Sequence, residues 1–323
     1  MWSSGLTEYE DNALPSTPGA FYLSVIGPTA SGKSNLAMLL AERLQGEIVN
    51  CDSIQLYKNF DIGSAKPSTK DQTNIRHHLI DYISWEQSFD ASLFATVARK
   101  TIADVSAKHK LPIAVGGSGL YLRALWGEQF HNLPSDPNTR AQFQHRSHDD
   151  LYAELKEKDP QRAKEIHQHD IYRLTRALEI IALTGKPMSQ ILQEARAKQT
   201  LDNPFSCPCI ILLSPERSQL HHNIALRTKF MLKNGLIDEV KSILDQGCPR
   251  ESKIMQSIGY KQVGDFLAGE VRKCELEEKI IFATRQYAKR QVTWYKKVNA
   301  HITLESHPNI DEFVKKLAKY FPK

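Results

Sequence analysis

The segment GPTASGKS at residues 27–34 constrains this chain of 323 residues more than any other feature. It has the form G-x-x-x-x-G-K-[ST], follows an apolar run at 21–26, and opens an amphipathic pattern that predicts a helix from Lys33. Glycines in such a loop let backbone N–H groups surround an anion at the positive end of the helix. Lys33 adds a point charge, and the Ser34 hydroxyl is suited to Mg²⁺. The predicted di- or triphosphate site comprises Gly27, Thr29, Ala30, Ser31, Gly32, Lys33 and Ser34.

Short apolar runs alternate with helical patterns and predict an α/β fold. Strands are predicted at 21–26, 47–51, 111–115 and 209–213, with a further candidate at 78–82, and Gly46 is expected to end the first helix. Strands that alternate with helices indicate a parallel sheet with helices on both faces. Together with the phosphate-binding loop, this pattern predicts a P-loop NTPase-like fold.

The strand pattern stops between residues 131 and 200, where helical patterns replace it. The clearest helix runs from Asp170, a candidate N-cap, to Thr184, and Gly185 ends it. We therefore predict an inserted all-helical subdomain at 131–200 and an α/β core with a helical C-terminal part at 21–130 and 201–323. Residues 1–20 carry acids and no basic residue, unlike a signal peptide, and are predicted to form a disordered leader.

Composition excludes several classes of protein. Hydrophobic residues make up 41% and charged residues 24%, as in soluble globular proteins. Five scattered cysteines do not form a disulfide framework and indicate reduced thiols in the cytoplasm. There is no apolar run of about 18 residues that could span a membrane. The histidines of the insert lack the spacing of a zinc site.

Two aspartates follow predicted strands and are candidate catalytic groups. Asp52 follows the strand at 47–51, which places it at the edge of the sheet where ligands of open α/β folds bind. Its position alone is equally consistent with a helix cap or a turn. Asp81 ends another apolar stretch and is an alternative metal-side carboxylate, although His77 and His78 before it offer a structural hydrogen bond.

Two further features lie at strand ends. Residues 116–119, GGSG, form a second glycine-rich loop with one hydroxyl, Ser118. Arg217 begins the helix after the strand at 209–213, where a guanidinium can bind an anion with two hydrogen bonds or form a surface ion pair with Glu216.

The chain has a formal net charge of +5, and basic residues are concentrated on the predicted C-terminal helix. Six basic residues and no acidic one lie between Lys279 and Ala300, with tyrosine and tryptophan interleaved. A stripe of one sign with aromatic residues is typical of contact with a nucleic-acid backbone.

These features together resemble a known family, the tRNA dimethylallyltransferases of bacterial type. The resemblance rests on GPTASGKS at 27–34, CDSIQLYKNFDIGSAKP at 51–67, HHLID at 77–81, GGSGLYLRAL at 116–125, YRLTRALEI at 172–180, SIGYKQ at 257–262 and TRQYAKRQVTWY at 284–295. Family members transfer a dimethylallyl group from its diphosphate to N6 of the adenosine on the 3′ side of the anticodon. The resemblance implies a cytoplasmic prenyltransferase that needs tRNA, dimethylallyl diphosphate and Mg²⁺, and no obligate protein partner.

The resemblance also implies roles for individual residues. Asp52 would be the general base on N6, Arg217 would help to hold the diphosphate, and Ser118 would lie near the reacting base. The implied tRNA contacts are Asp52, Ser53, Ile54, Gln55, Ser118, Arg140, Tyr172, Arg173, Arg176, Thr284, Arg285, Gln286, Lys289, Arg290 and Gln291. Tyr172 stands where the family commonly has Gln, and Ser118 where it commonly has Thr. The alternatives are a P-loop kinase of a nucleotide or small molecule, an RNA-binding nucleotide switch, and an enzyme that prenylates free adenine nucleotides.

Overall fold

The computed structural model describes residues 21–127, 133–143, 145–199 and 209–321. The chain divides into two compact units: Met1–Trp126 with Pro204–Lys323, and Gly127–Asn203. The predicted leader at 1–20 lies outside the described residues. No helix in the described ranges is long and apolar enough to cross a bilayer.

The first unit contains a parallel sheet with helices around it. Its first segment comprises β1 Leu23–Ile26, α1 Lys33–Leu44, β2 Gly46–Asn50, α2 Thr69–Asn74, β3 His77–His78, α3 Ala91–Ala107, β4 Leu111–Gly116 and α4 Gly119–Leu125. The second unit follows with α5 Pro137–Ala141, α6 His148–Lys158, α7 Pro160–Glu165, α8 Ile171–Thr184 and α9 Met188–Gln199. The first unit resumes with β5 Cys209–Leu213, α10 Arg217–Lys233, α11 Leu236–Asp245, α12 Tyr260–Leu267, α13 Lys273–Tyr295, β6 Ile302–Leu304, α14 Ile310–Leu317 and a 3₁₀ turn at Ala318–Tyr320.

The sheet confirms the predicted fold class. Its strand order is β3-β2-β4-β1-β5-β6, and all neighbours pair in parallel. Every residue of β1 and β5 is buried, as expected for strands covered on both faces. The central strand β1 delivers the 27–34 loop to the carboxyl edge of the sheet, beside the ends of β4 and β5.

Three details differ from the sequence predictions. The strand expected at 78–82 is only His77–His78, because Leu79 and Asp81 take positive φ angles of 60° and 52° that end the ladder. Gly46 begins β2 and does not end α1, which stops at Leu44 before a left-handed Gln45. The edge strand β6, only three residues long, was not predicted.

The regular elements of the second unit are all helices in its described residues, and the unit has a core of its own. Leu151, Leu155, Leu174 and Leu178 are fully or almost fully buried in it. Helix α8 begins and ends as predicted: the Asp170 side chain accepts a hydrogen bond from the Arg173 N–H, and Gly185 follows with a φ of 69°.

Candidate active site

The 27–34 loop is held in shape by α13. The Tyr295 hydroxyl donates to the Gly27 carbonyl at 3.0 Å, and the Gln291 Oε1 accepts from the Thr29 N–H at 2.8 Å. The Gln291 Nε2 also donates to the Gly117 carbonyl at 2.7 Å, so one buried amide joins the two glycine-rich loops. The side chain of Gln291, which was predicted to contact tRNA, is buried between the loops.

A cavity of about 670 Å³ opens beside this loop at the carboxyl edge of the sheet. Its chemically active lining comprises Thr29, Lys33, Ser34, Asp52, Ser53, Ile54, Gln55, Arg227, Thr284, Tyr287 and Arg290. A second cavity of about 580 Å³ lies against the loop and is lined by Ala30, Gly32, Lys33, Ser34 and residues of α10. The buried Ser31 hydroxyl has no hydrogen-bond partner among the described residues.

Lys33 is the central cation of the site. Burial lowers the pKa of its ammonium to about 8, with Arg227 lowering it further and Asp52 acting in the opposite direction. The Lys33 Nζ lies 3.4 Å from the Pro28 carbonyl. Gly117 is close as well, since a Cβ at this position would lie 3.4 Å from the Lys33 Nζ. A buried ammonium of this kind recovers favourable interactions when an anion enters.

The affinity for a diphosphate is therefore expected to weaken as the pH rises through about 8. Above that pH the free protein has lost the Lys33 proton, whereas a bound anion restores it, so Kd rises by up to about tenfold per pH unit. Diphosphate groups are already ionised in this range, so their own titration adds little. Calorimetry with dimethylallyl diphosphate between pH 7 and 9.5 measures this, and a pH-independent Kd would contradict it.

Asp52 lines the same cavity as the loop. Its Oδ1 accepts from the Ile54 and Gln55 N–H groups at 2.9 and 3.4 Å, which fixes the carboxylate at the end of β2. Burial lowers the pKa values of Lys33 and Arg227 and raises that of Tyr287. The Asp52 carboxylate has a smaller effect on each, and it acts upward on all three pKa values. A carboxylate facing cations and a buried phenol at the wall of a cavity is a candidate proton acceptor.

Arg227 takes the place predicted for Arg217. It is half-buried, lines the main cavity and donates to the Thr29 hydroxyl at 2.6 Å. Arg217 is the exposed first residue of α10 and does not line this cavity. The sequence reasoning placed Arg217 at the diphosphate, whereas the two arginines stand ten residues, about 15 Å, apart on one helix and Arg227 is the one at the loop.

The cavity lining also includes residues to which the sequence analysis gave no role in the site, Gln256, Ser257, Ile258 and Gly259. The Glu239 carboxylate on α11 fixes the neighbouring loop. It accepts from the Asp61, Ile62 and Gly63 N–H groups at 3.1, 2.7 and 3.1 Å, and from the Tyr260 hydroxyl at 2.7 Å. The motifs at 51–67 and 257–262 are thus joined through one carboxylate.

Asp81, the alternative catalytic carboxylate, is engaged elsewhere. It lies 2.6 Å from the buried Lys66 ammonium, which also contacts Asp61 and the Tyr57 carbonyl. His77 and His78 do not hold it: the rings contact the Ile75 carbonyl and Glu47 respectively. Asp81 therefore belongs to a structural ion pair with Lys66.

The remaining predicted contacts fall into two groups. Within the first unit, Arg285, Gln286 and Lys289 are exposed, and the Arg290 guanidinium lies 5.7 Å from the Tyr287 ring. Thr284 is buried and donates its hydroxyl to the Ile280 carbonyl. Ser118 precedes α4 without a side-chain cap bond and does not line the main cavity.

Within the second unit, two predicted tRNA contacts are engaged with the fully buried Glu179. Its carboxylate lies 2.9 Å from Arg140 and 2.8 Å from Arg176. Tyr172 and Arg173 are exposed at the start of α8, with Arg173 at 3.3 Å from Asp170. Arg140 and Arg176 therefore stabilise the unit, while Tyr172 and Arg173 face solvent.

Comparison with known proteins identifies the family. The model of the family described as IPP transferase matches residues 55–298, about three-quarters of the chain. The chain belongs to the IPP transferase family. Among its relatives, the tRNA dimethylallyltransferase of Solibacter usitatus is 41% identical over 296 residues, covering 90% of this chain and 94% of the relative. The tRNA dimethylallyltransferase 1 of Citrifermentans bemidjiense is 42% identical over 86% of this chain and 90% of its own length.

Solved structures of the IPP transferase family share the fold. The full-length tRNA isopentenylpyrophosphate transferase of Bacillus halodurans matches with a TM-score of 0.66 and 31% identity, covering 93% of this chain and 95% of that one. A eukaryotic dimethylallyltransferase acting on tRNA matches with a TM-score of 0.70 and 28% identity. The match covers 85% of this chain and 69% of that one.

Proposed function

We propose that this protein transfers the dimethylallyl group of dimethylallyl diphosphate to N6 of the adenosine on the 3′ side of the anticodon in tRNA. The observation that carries the proposal is one cavity lined by Asp52, Lys33 and Arg227 together. This arrangement suits a reaction that needs a proton acceptor and a charged leaving group at the same time. Membership of the IPP transferase family supports the same reaction.

Each charged residue has a defined part in this reaction. N6 of adenine attacks the allylic carbon, the C–O bond to the diphosphate breaks, and the N6 proton passes to the Asp52 carboxylate. Lys33, Arg227 and the N–H groups of the 27–34 loop stabilise the negative charge that develops on the leaving diphosphate. The backbone hydrogen bonds to Asp52 keep the carboxylate oriented toward the cavity.

The site fits a magnesium ion that binds together with the substrate. The exposed Ser34 hydroxyl has no hydrogen-bond partner among the described residues, and no cluster of three His, Cys, Asp or Glu side chains there could hold a metal ion. Magnesium is commonly held by few protein oxygens and completed by substrate phosphates. Ser34 and the diphosphate would hold Mg²⁺, which supplies further charge neutralisation of the leaving group.

The proposed tRNA contacts include residues at the cavity of the first unit and, separately, residues of the second unit. A base must leave its stack to reach a carboxylate inside a protein, and unstacked bases commonly rest on aromatic side chains. Arg290 and Tyr287 line the cavity, and Arg285 and Lys289 follow on the exposed side of α13. In the second unit, Tyr172 and Arg173 provide a stacking surface and a cation. We infer a cytoplasmic protein that acts on tRNA without an obligate protein partner.

Label transfer distinguishes this function from the alternatives. The protein is incubated with Mg²⁺ and dimethylallyl diphosphate labelled in the allyl group, together with either unmodified tRNA or free AMP. We expect label in tRNA and none in AMP. Label in AMP alone would identify a nucleotide prenyltransferase. Absence of label from both, together with transfer of the γ-phosphate of ATP, would identify a kinase.

A further inference from the structure

An exposed group of three cations without acidic partners among the described residues lies at the start of α10 and in the second half of α13. Arg217, Arg285 and Lys289 are exposed, and none forms an ion pair with any residue in the described ranges. Elsewhere on the surface, arginines such as Arg43 and Arg250 contact carboxylates within 3 Å. Neighbouring cations repel each other, and this repulsion raises the free energy of the free protein. A polyanionic partner neutralises the charges and removes the repulsion.

Packing of the two helices brings these cations together. Leu220 and Ile224 of α10 share a buried cluster with Ala288 of α13, while Lys229 lies 3.9 Å from Glu277 at the other end. The helices are therefore antiparallel, and the start of α10 lies beside the basic half of α13. His221 lies between the charges: burial lowers the pKa of its ring, and Arg285 and Arg217 lower it further.

Phe282 adds an aromatic side chain to the same surface. It is 65% exposed and lies one helical turn before Arg285, on the same side of α13. The surface begins at the cavity, where Arg290 lines the wall, and continues through Lys289 and Arg285. Glu277 and Glu278 follow beyond Phe282 and end the acid-free segment.

We propose that Arg217 and Phe282 extend the RNA-binding surface from the cavity across α13 to the start of α10. Arg217 binds a phosphate of the RNA backbone, and Phe282 packs against an unstacked base or a ribose. The inference rests on the proposed function, since it assigns these residues to the same RNA. The sequence reasoning had placed Arg217 at the diphosphate. The present inference gives it a role in binding RNA instead.

Binding of unmodified tRNA tests this at several salt concentrations, with wild-type transfer activity measured in parallel. Replacing Arg217 by Ala is expected to reduce the slope of log K against log salt by about 0.7–0.9, the value of one phosphate contact. Replacing Phe282 by Ala is expected to weaken binding about tenfold with the slope unchanged. Lys229→Ala, which removes a cation from the same helix beside Glu277, is the matched control and should change neither quantity.

Two outcomes would overturn the inference. One is an Arg217→Ala variant with the wild-type salt slope. The other is an Arg217→Ala variant in which KM for dimethylallyl diphosphate rises while tRNA affinity is unchanged, because that result returns Arg217 to the diphosphate. Failure of the wild-type protein to prenylate tRNA overturns the proposed function separately, whatever the binding slopes show.

Discussion

Replacing Asp52 by Asn is expected to lower kcat for prenyl transfer about a thousandfold. The amide keeps the Oδ1 acceptor that holds the Ile54 and Gln55 N–H groups, so the shape of the site is preserved. It removes the group that takes the N6 proton. Affinity for dimethylallyl diphosphate should stay within a few-fold of wild type, because Asp52 opposes the cations and does not hold the anion.

Single-turnover transfer to tRNA and calorimetry with the diphosphate measure the two effects of Asp52→Asn separately. Lys58→Ala, an exposed residue of the following segment that does not line the cavity, is the control. Transfer by Asp52→Asn within tenfold of wild type would remove the proton-acceptor role. Loss of diphosphate binding would show that Asp52 acts on the ligand instead.

Replacing Arg227 by Gln is expected to lower kcat roughly a hundredfold and to raise KM for the diphosphate, since one donor to the developing negative charge is lost. Arg227 contacts the Thr29 hydroxyl inside the site, whereas Lys229, two residues later, is 65% exposed. Lys229→Gln is therefore the matched control on the same helix and should leave both constants unchanged. An Arg227→Gln variant with wild-type kcat would assign the leaving-group charge to Lys33 and the loop alone.

The sequence predicted those parts of the site that depend on neighbouring residues in the chain. A phosphate-binding loop is a local motif between a strand and a helix, and the strands around it are continuous apolar runs. The same holds for α8, whose two ends carry a capping aspartate and a glycine. Asp52 could be placed because the carboxyl ends of parallel strands meet at one edge of the sheet.

Other features of the site depend on packing between distant segments of the chain, and these could not be predicted from the sequence. Arg227 lies in the middle of α10 and reaches the loop because Asn223, one turn earlier, donates to the Ala30 carbonyl. Gln291 lies on the buried face of α13 with Thr284 and Ala288. Because two of these three residues are polar, the hydrophobic periodicity of the helix did not identify this face as buried. Arg140 and Arg176 meet on Glu179 only after α5 and α8 pack together.

Locating the transferred group tests the central claim most directly. An anticodon stem-loop RNA is incubated with the protein, Mg²⁺ and dimethylallyl diphosphate, and the digested product is mapped by mass spectrometry. We expect one dimethylallyl group, on the adenosine that follows the anticodon on its 3′ side, and none in a stem-loop with guanosine there. A dimethylallyl group on another nucleotide, or an unmodified stem-loop under conditions in which the diphosphate is consumed, would contradict the account.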